Sequence, residues 1–269
     1  MPEQSPGEGP EEAQRYAGST RDGLSSKAFG GMHTNRTNAG DDTLMRRKTL
    51  LSWSSGKDSA WSLHVLRQDP TIEVVGLFSV INEKANRVSM HSTREELLRR
   101  QAEAAGLPLE TINLPDPCTM EQCDAIMGRF VAGLTARGIE CIAFGDLFLE
   151  DIRQYREEQM KGTGIEPLFP LWQIPTARLA EEMLTAGLEA YISSVDLKKL
   201  PARFVGRLWT RDLLKELPAG VDPCGENGEI HTIVVGGPMF EKRIAVAVGA
   251  VVQRSGFAYA DIIPKNDPA

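Results

Sequence analysis

The sequence predicts an α/β protein: a parallel sheet covered by helices on both faces, followed by a smaller α+β unit. Two observations carry this. From Arg46 to Phe144 short apolar runs alternate with helical stretches, the pattern of parallel strands joined by crossover helices. After Pro170 that alternation gives way to a mixed texture. The length of 269 residues allows one or two domains, at about 150 residues each.

The elements follow in order. Thr49–Trp53 is a short apolar run that reads as a buried strand, and Ser54–Lys57 as a turn opening a helix from Asp58 to about Arg67. Glu73–Val80 reads as the second strand. Ser92–Ala105 has helical periodicity and is stopped by Gly106 and Pro108. Leu109–Leu114 is a third strand, and Thr119–Ala136 a long helix with Thr119 as N-cap and Gly138 past its end. Cys141–Phe144 is a fourth strand, ending at Gly145-Asp146. Beyond Trp172, Thr176–Ala186 and Arg203–Leu217 read as helices, Ala190–Val195 as a strand, and Arg243–Gln253 as a strand bent at Gly249. Asp222–His231 reads as a polar loop punctuated by glycine. These runs give a tail over 1–45, a first domain over 46–171 and a second over 172–269. The tail is rich in glycine and polar residues, with Tyr16 and Phe29 as its aromatics. It holds too little apolar surface to offset its ordering entropy and is expected to be disordered.

Hydrophobic residues make up 41% of the chain and charged residues 25%, ordinary for a globular protein. The net charge of −7 argues against a broad grip on nucleic acid or an anionic membrane. No apolar run approaches the roughly 18 residues of a membrane span, and no signal peptide is expected. Cys118, Cys123, Cys141 and Cys224 contain no C-x-x-C pair and read as neither a disulfide framework nor a zinc site. The C-x4-C spacing of the first two leaves a redox role open. A cytoplasmic protein of a reducing compartment is the expectation.

Ligands of such sheets sit beyond the carboxyl ends of the strands. The loop after the first strand reads Ser54-Ser55-Gly56-Lys57-Asp58-Ser59. Backbone amides in a strand-to-helix turn can converge on phosphate oxygens, with the helix N-terminus adding positive potential. Lys57 supplies a full charge, Ser54 and Ser59 hydroxyls, and Gly56 room for close approach. The Walker A spacing is absent. A solvated, capped turn is the other reading. The loop resembles the phosphate loop of the ATP pyrophosphatase superfamily, usually S-G-G-K-D-S, with Ser55 in place of the first glycine. The substitution is expected to cost little unless that position needs a positive φ.

A second block, Asp222-Pro223-Cys224-Gly225-Glu226-Asn227-Gly228-Glu229-Ile230-His231-Thr232, resembles the D-P-C-G-E-N-G-E-F-H-T signature of diphthine–ammonia ligases. Gly145-Asp146 with Glu150, Arg153 and Glu157, and Pro167–Trp172, also look like that family, in its compact form. The resemblance implies a Rossmann-like nucleotide-binding domain and an ATP-dependent amide-forming ligase. ATP would activate a carboxylate as an acyl-adenylate, releasing pyrophosphate, and ammonia would then displace AMP. In the family the carboxylate is that of diphthine on elongation factor 2, which requires an organism that makes diphthamide. No membrane or nucleic-acid partner is implied.

The residues fit such chemistry. Glu226, Glu229 and His231 could hold ammonium or take its proton; a structural turn with solvated acids is the alternative. Asp146 could hold Mg²⁺ or cap a turn. Arg153 could face a phosphate or carboxylate, or lie in a solvated ion-pair face. His91 could contact the ligand or cap its helix, and Cys224 reads as a small packed thiol. A sulfur-transferring relative acting on tRNA and a non-catalytic ATP-binding sensor remain the alternatives.

Overall fold

The computed structural model describes residues 45–83, 87–88 and 93–265; the expected tail, with the exception of Met45, and His91 lie outside them. Strands β1 (Arg47–Ser52), β2 (Ile72–Asn82), β3 (Arg87–Val88), β4 (Leu109–Leu114), β5 (Cys141–Ala143) and β6 (Glu166–Leu168) form one sheet. Its order is β4-β2-β1-β5-β6, all parallel, with β3 antiparallel to the end of β2. The parallel strands are joined by α1 (Lys57–Leu66), α2 (Glu95–Ala104), α3 (Met120–Ala132) and α4 (Glu150–Met160). This is the Rossmann-like arrangement expected.

Alternation along the strands splits the interior in two. Leu50, Phe78 and Ile142 face a cluster completed by Val131 and Leu134 from α3 and its exit and Met160 from α4. Leu51, Leu77 and Ala143 face the other way, onto α1 and α2. That second cluster runs on without a break into the carboxyl-terminal residues. Those form α5 (Thr176–Thr185), α6 (Arg211–Lys215) and an antiparallel sheet of order β8-β7-β10-β9, from β7 (Glu189–Asp196), β8 (Ile230–Gly236), β9 (Val246–Arg254) and β10 (Phe257–Pro264).

Three details depart from the sequence-based expectations. The helix expected over Arg203–Leu217 shrinks to α6 plus a 3₁₀ turn at Ala202–Phe204. Gly206 takes φ +79°, and the backbone around it bonds to β7 instead: Gly206 N donates to Ile192 O and Ile192 N to Arg207 O. The helix after Thr119 stops at Ala132, although Thr119 caps it with a full capping box as expected. Cys118 and Cys123, which do not read as part of a disulfide framework, form a disulfide with Cα atoms 6.1 Å apart; the turn into α3 brings them within the usual spacing. Among the described residues no helix is long and apolar enough to cross a membrane.

Candidate active site

The loop after β1 is buried and held from several sides. Ser59 Oγ donates to Gly56 O at 3.0 Å, and Ser54 Oγ donates to Ser59 Oγ at 3.2 Å. Ser55 takes φ +72° and is fully buried. The position therefore does need a positive φ, and the expectation that serine costs little here is corrected. A non-glycine residue in that region is strained by about 1–2 kcal/mol. Its hydroxyl shares a buried 2.6 Å hydrogen bond with Thr93 Oγ1.

Lys57 does not extend into solvent. Its backbone N–H donates to Thr232 Oγ1 at 3.0 Å; its Nζ donates to Asp58 Oδ2 at 2.8 Å and also to the Cys224 carbonyl. Burial pulls the ammonium pKa down, but Asp58, Cys224 and Glu226 outweigh it and the pKa stands above the ordinary lysine value. Val234 N donates to Ser55 O at 3.0 Å. A Cβ on Gly56 would lie 3.3 Å from Thr232 O. Strand β8 and the loop before it thus pack directly on the phosphate-type loop.

The 222–229 segment organises itself. Asp222 Oδ1 accepts from Cys224 N at 2.8 Å and Glu226 N at 3.3 Å, while its Oδ2 accepts from Thr176 Oγ1 at 2.5 Å. Gly225 takes φ +73°, and a Cβ there would lie 2.3 Å from Ile230 Cγ1 and 2.8 Å from Ile230 O; only glycine fits. Glu229 turns back into the loop: its Oε1 accepts from Asp222 N and Asn227 Nδ2, and its buried Oε2 has no partner. Glu226 faces the first sheet, where its Oε1 accepts from Leu147 N at 2.9 Å. Burial raises its pKa to about 7, against the Leu147 amide and with Asp58 adding to the rise. Packing around His231, together with the Lys57 charge, pushes its pKa down to about 4, so it is neutral near pH 7. Burial pushes the Cys224 thiol up to about 12.

Asp146 enters from the end of β5. Gly145 lets the chain pass close to α1: a Cβ there would lie 3.0 Å from Asp58 C and Ser59 N. Burial raises the Asp146 pKa; Arg156 opposes the rise and Asp58 adds to it. Arg156 Nε lies 3.7 Å from Asp146 Oδ2, too far for a hydrogen bond. Both atoms are buried without hydrogen-bond partners, as is Asp58 Oδ1. Asp58 Oδ1, and Asp146 Oδ2 with the Arg156 charge beside it, lie next to a phosphate-type loop and fit a hard cation that takes one or two carboxylates and completes its shell with phosphate oxygens. The described residues hold no cluster of three or more potential protein ligands, so the phosphates are needed.

Ser54–Ser59, Asp146 and Glu226 therefore lie close together, with Asp58 acting on both other carboxylates, while Glu229 closes its own loop. Arg153 is not the arginine beside Asp146. Its guanidinium lies 4.9 Å from the Phe169 ring and 4.8 Å from Trp172, and donates to Glu157. Arg156, one helical turn on, is the group sequence reasoning missed. So is Gln101, fully buried in α2.

The diphthamide synthase N-terminal domain family matches residues 47–167, and the corresponding C-terminal domain family residues 175–262. The diphthine–ammonia ligase of Homo sapiens is 33% identical over 163 residues, 58% of this chain and 61% of that one. That of Rattus norvegicus is 28% identical over the same shares. The Schizosaccharomyces pombe ligase is 32% identical over 125 residues, 44% of this chain but 20% of that protein. The chain thus spans between 20% and 61% of these relatives' length. A U34-tRNA thiolase of Methanococcus maripaludis superposes with TM-score 0.34 at 18% identity, over 54% of this chain and 59% of that one, too slight a likeness to bear on the site.

Proposed function

The chain belongs to the diphthamide synthase family, and from that premise we propose that it is an ATP-dependent, amide-forming ligase of the diphthine–ammonia ligase type. The observation that carries the reading is the union of the two motif blocks: Lys57 bonds through its backbone to Thr232 and through its ammonium to the Cys224 carbonyl. A loop shaped for phosphate and a loop bearing a carboxylate of pKa about 7 share one crevice.

ATP phosphates bind at the Ser54–Ser59 amides and hydroxyls, at the start of α1. Lys57 exchanges its carbonyl contact for a phosphate oxygen and balances charge on the departing pyrophosphate. Asp146 and Asp58 would hold Mg²⁺, which shields the phosphates when bound. The substrate carboxylate oxygen attacks the α-phosphorus and the bond to the β-phosphate oxygen breaks, leaving an acyl-adenylate. Ammonia attacks the acyl carbon, AMP leaves with the C–O electron pair, and nitrogen loses a proton. Glu226 takes that proton, because its pKa lies near the working pH. Glu229, through the Asp222 amide and the Asn227 side chain, holds the loop that aims Glu226, and neutral His231 follows it in β8. The proposed carboxylate is diphthine on elongation factor 2, and the nitrogen source is free ammonium, which gives up its first proton to solvent before it attacks as ammonia.

The test is product analysis with ATP, Mg²⁺ and ammonium, with and without diphthine-bearing elongation factor 2. AMP, pyrophosphate and amide in equal amounts, dependent on the protein substrate, are expected. ADP and phosphate would overturn the reading.

A further inference from the structure

We infer that Thr93 and Gln101 are positioning residues that hold the phosphate loop in its binding shape, Thr93 through the Ser55 hydroxyl and Gln101 through the Ser55 carbonyl. The inference rests on the phosphate-binding reading of Ser54–Ser59 and adds what keeps that loop in place.

Ser55 sits at φ +72°, a conformation that glycine adopts freely and serine does not. Left alone, the loop would relax toward an ordinary backbone and turn the neighbouring amides away from a common point. Two contacts oppose this, both from the α2 side. Thr93, wholly buried just before α2, meets the Ser55 hydroxyl at 2.6 Å. Gln101, also wholly buried, donates from Nε2 to Ser55 O at 3.1 Å and to Val234 O at 2.7 Å. Its Oε1 accepts from Trp53 Nε1 at 2.9 Å. An indole N–H can only donate, which fixes the amide: oxygen toward Trp53, NH₂ toward the two carbonyls. One side chain therefore ties together Trp53 at the exit of β1, the loop and β8, the strand that carries Thr232 to the Lys57 backbone.

The two residues act on different atoms of Ser55, and a mutant cycle separates them. If the Thr93 hydroxyl matters because it stabilises a serine at positive φ, it stops mattering once residue 55 is glycine. Gln101 holds a backbone carbonyl and matters either way.

ATP affinity is measured calorimetrically in the full chain for wild type, T93V, T93S, S55G, S55G/T93V, Q101M and S55G/Q101M, with thermal unfolding without ATP as the stability control. T93V should raise Kd roughly five- to tenfold, the effect of one buried neutral hydrogen bond; T93S, which keeps the hydroxyl, should restore affinity to within about twofold. In the S55G background, T93V should change Kd by less than about twofold, while Q101M should weaken binding in both backgrounds. If T93V does not fold, T93A carries the same contrast. Equal weakening by T93V with serine or glycine at position 55, or none with serine, overturns the inference while the ATP-binding reading stands. A wild-type chain that does not bind ATP overturns both.

Discussion

The two loops that form the crevice solve the same backbone problem in opposite ways. Each contains a residue in the left-handed region, Ser55 at φ +72° and Gly225 at φ +73°. At Gly225 the space where a Cβ would go is filled by Ile230, its carbonyl included, so no side chain is possible. At Ser55 the side chain has room and is used, its hydroxyl meeting Thr93. The backbone amides of the acidic loop are met from within, by Asp222 on the Cys224 and Glu226 amides and by Glu229 on the Asp222 amide, although Thr176, Lys57 and Leu147 also reach the loop. The phosphate loop has its own Ser54–Ser59 and Ser59–Gly56 bonds, but its strained residue, Ser55, is held from outside, by Thr93, Gln101 of α2 and Val234 of β8. A self-organised loop fails as a unit when its one fixed point is lost. A loop clamped by neighbours loses its contacts singly.

That contrast sets an order of effects. The largest is expected for G225A, which must displace Ile230 or unwind the turn. It should cost about 2–4 kcal/mol of stability and lower activity more than a hundredfold, read by thermal unfolding and by AMP release. A near wild-type melting temperature would break the comparison. K57A comes next: losing the charge proposed to meet the phosphates should lower kcat/KM by roughly a hundredfold or more while the fold persists. Unchanged AMP formation would remove the phosphate loop from the mechanism.

E226Q sharpens the account of the acidic loop. Burial raises the Glu226 pKa to about 7, and a base works only when deprotonated. Measured at a fixed concentration of free ammonia, the wild-type rate should therefore climb with pH through about 7 and level off above it. E226Q should lower the plateau by roughly 10²–10⁴-fold and abolish that limb. A limb that survives E226Q would assign the base elsewhere. The smallest effect concerns Cys224, whose thiol burial pushes up to about 12. Almost no thiolate is present at pH 8, so iodoacetamide should leave Cys224 unmodified in the folded chain, as peptide mass mapping would show. Rapid alkylation would mean that the loop opens.

Much of this was legible in the sequence. β1, β2 and β5 are short apolar runs that end at ligand-side loops, which placed both Ser54–Ser59 and Asp146. β6, β8 and β10 escaped for different reasons. Glu166-Pro167-Leu168 is too short and mixed to announce a strand, and the start of β8 is masked by the polar loop pattern before it. Phe257–Pro264 follows the β9 run so closely that the turn at Ser255-Gly256 was not separated from it. Gly206 falls inside the stretch expected to be helical, because composition does not reveal that β7 offers its neighbours better hydrogen-bond partners. At the site, the positive φ of Ser55 has no signature once the glycine that usually marks it is absent. A glutamine in an otherwise amphipathic helix reads as solvent-facing, so Gln101 gave no sign of its three buried bonds. Arg153 and Arg156 are one turn apart, and only the packing of Arg153 on Phe169 and Trp172 shows which one reaches Asp146.

The proposed reaction activates a carboxylate on the α-phosphate of ATP. The most direct test uses substrate labelled with ¹⁸O in the reacting carboxylate, with products read by mass spectrometry. Adenylation followed by ammonia attack on carbon places one carboxylate ¹⁸O in AMP. Label recovered in orthophosphate, with unlabelled nucleotide, would mean attack at the γ-phosphate and would contradict the account.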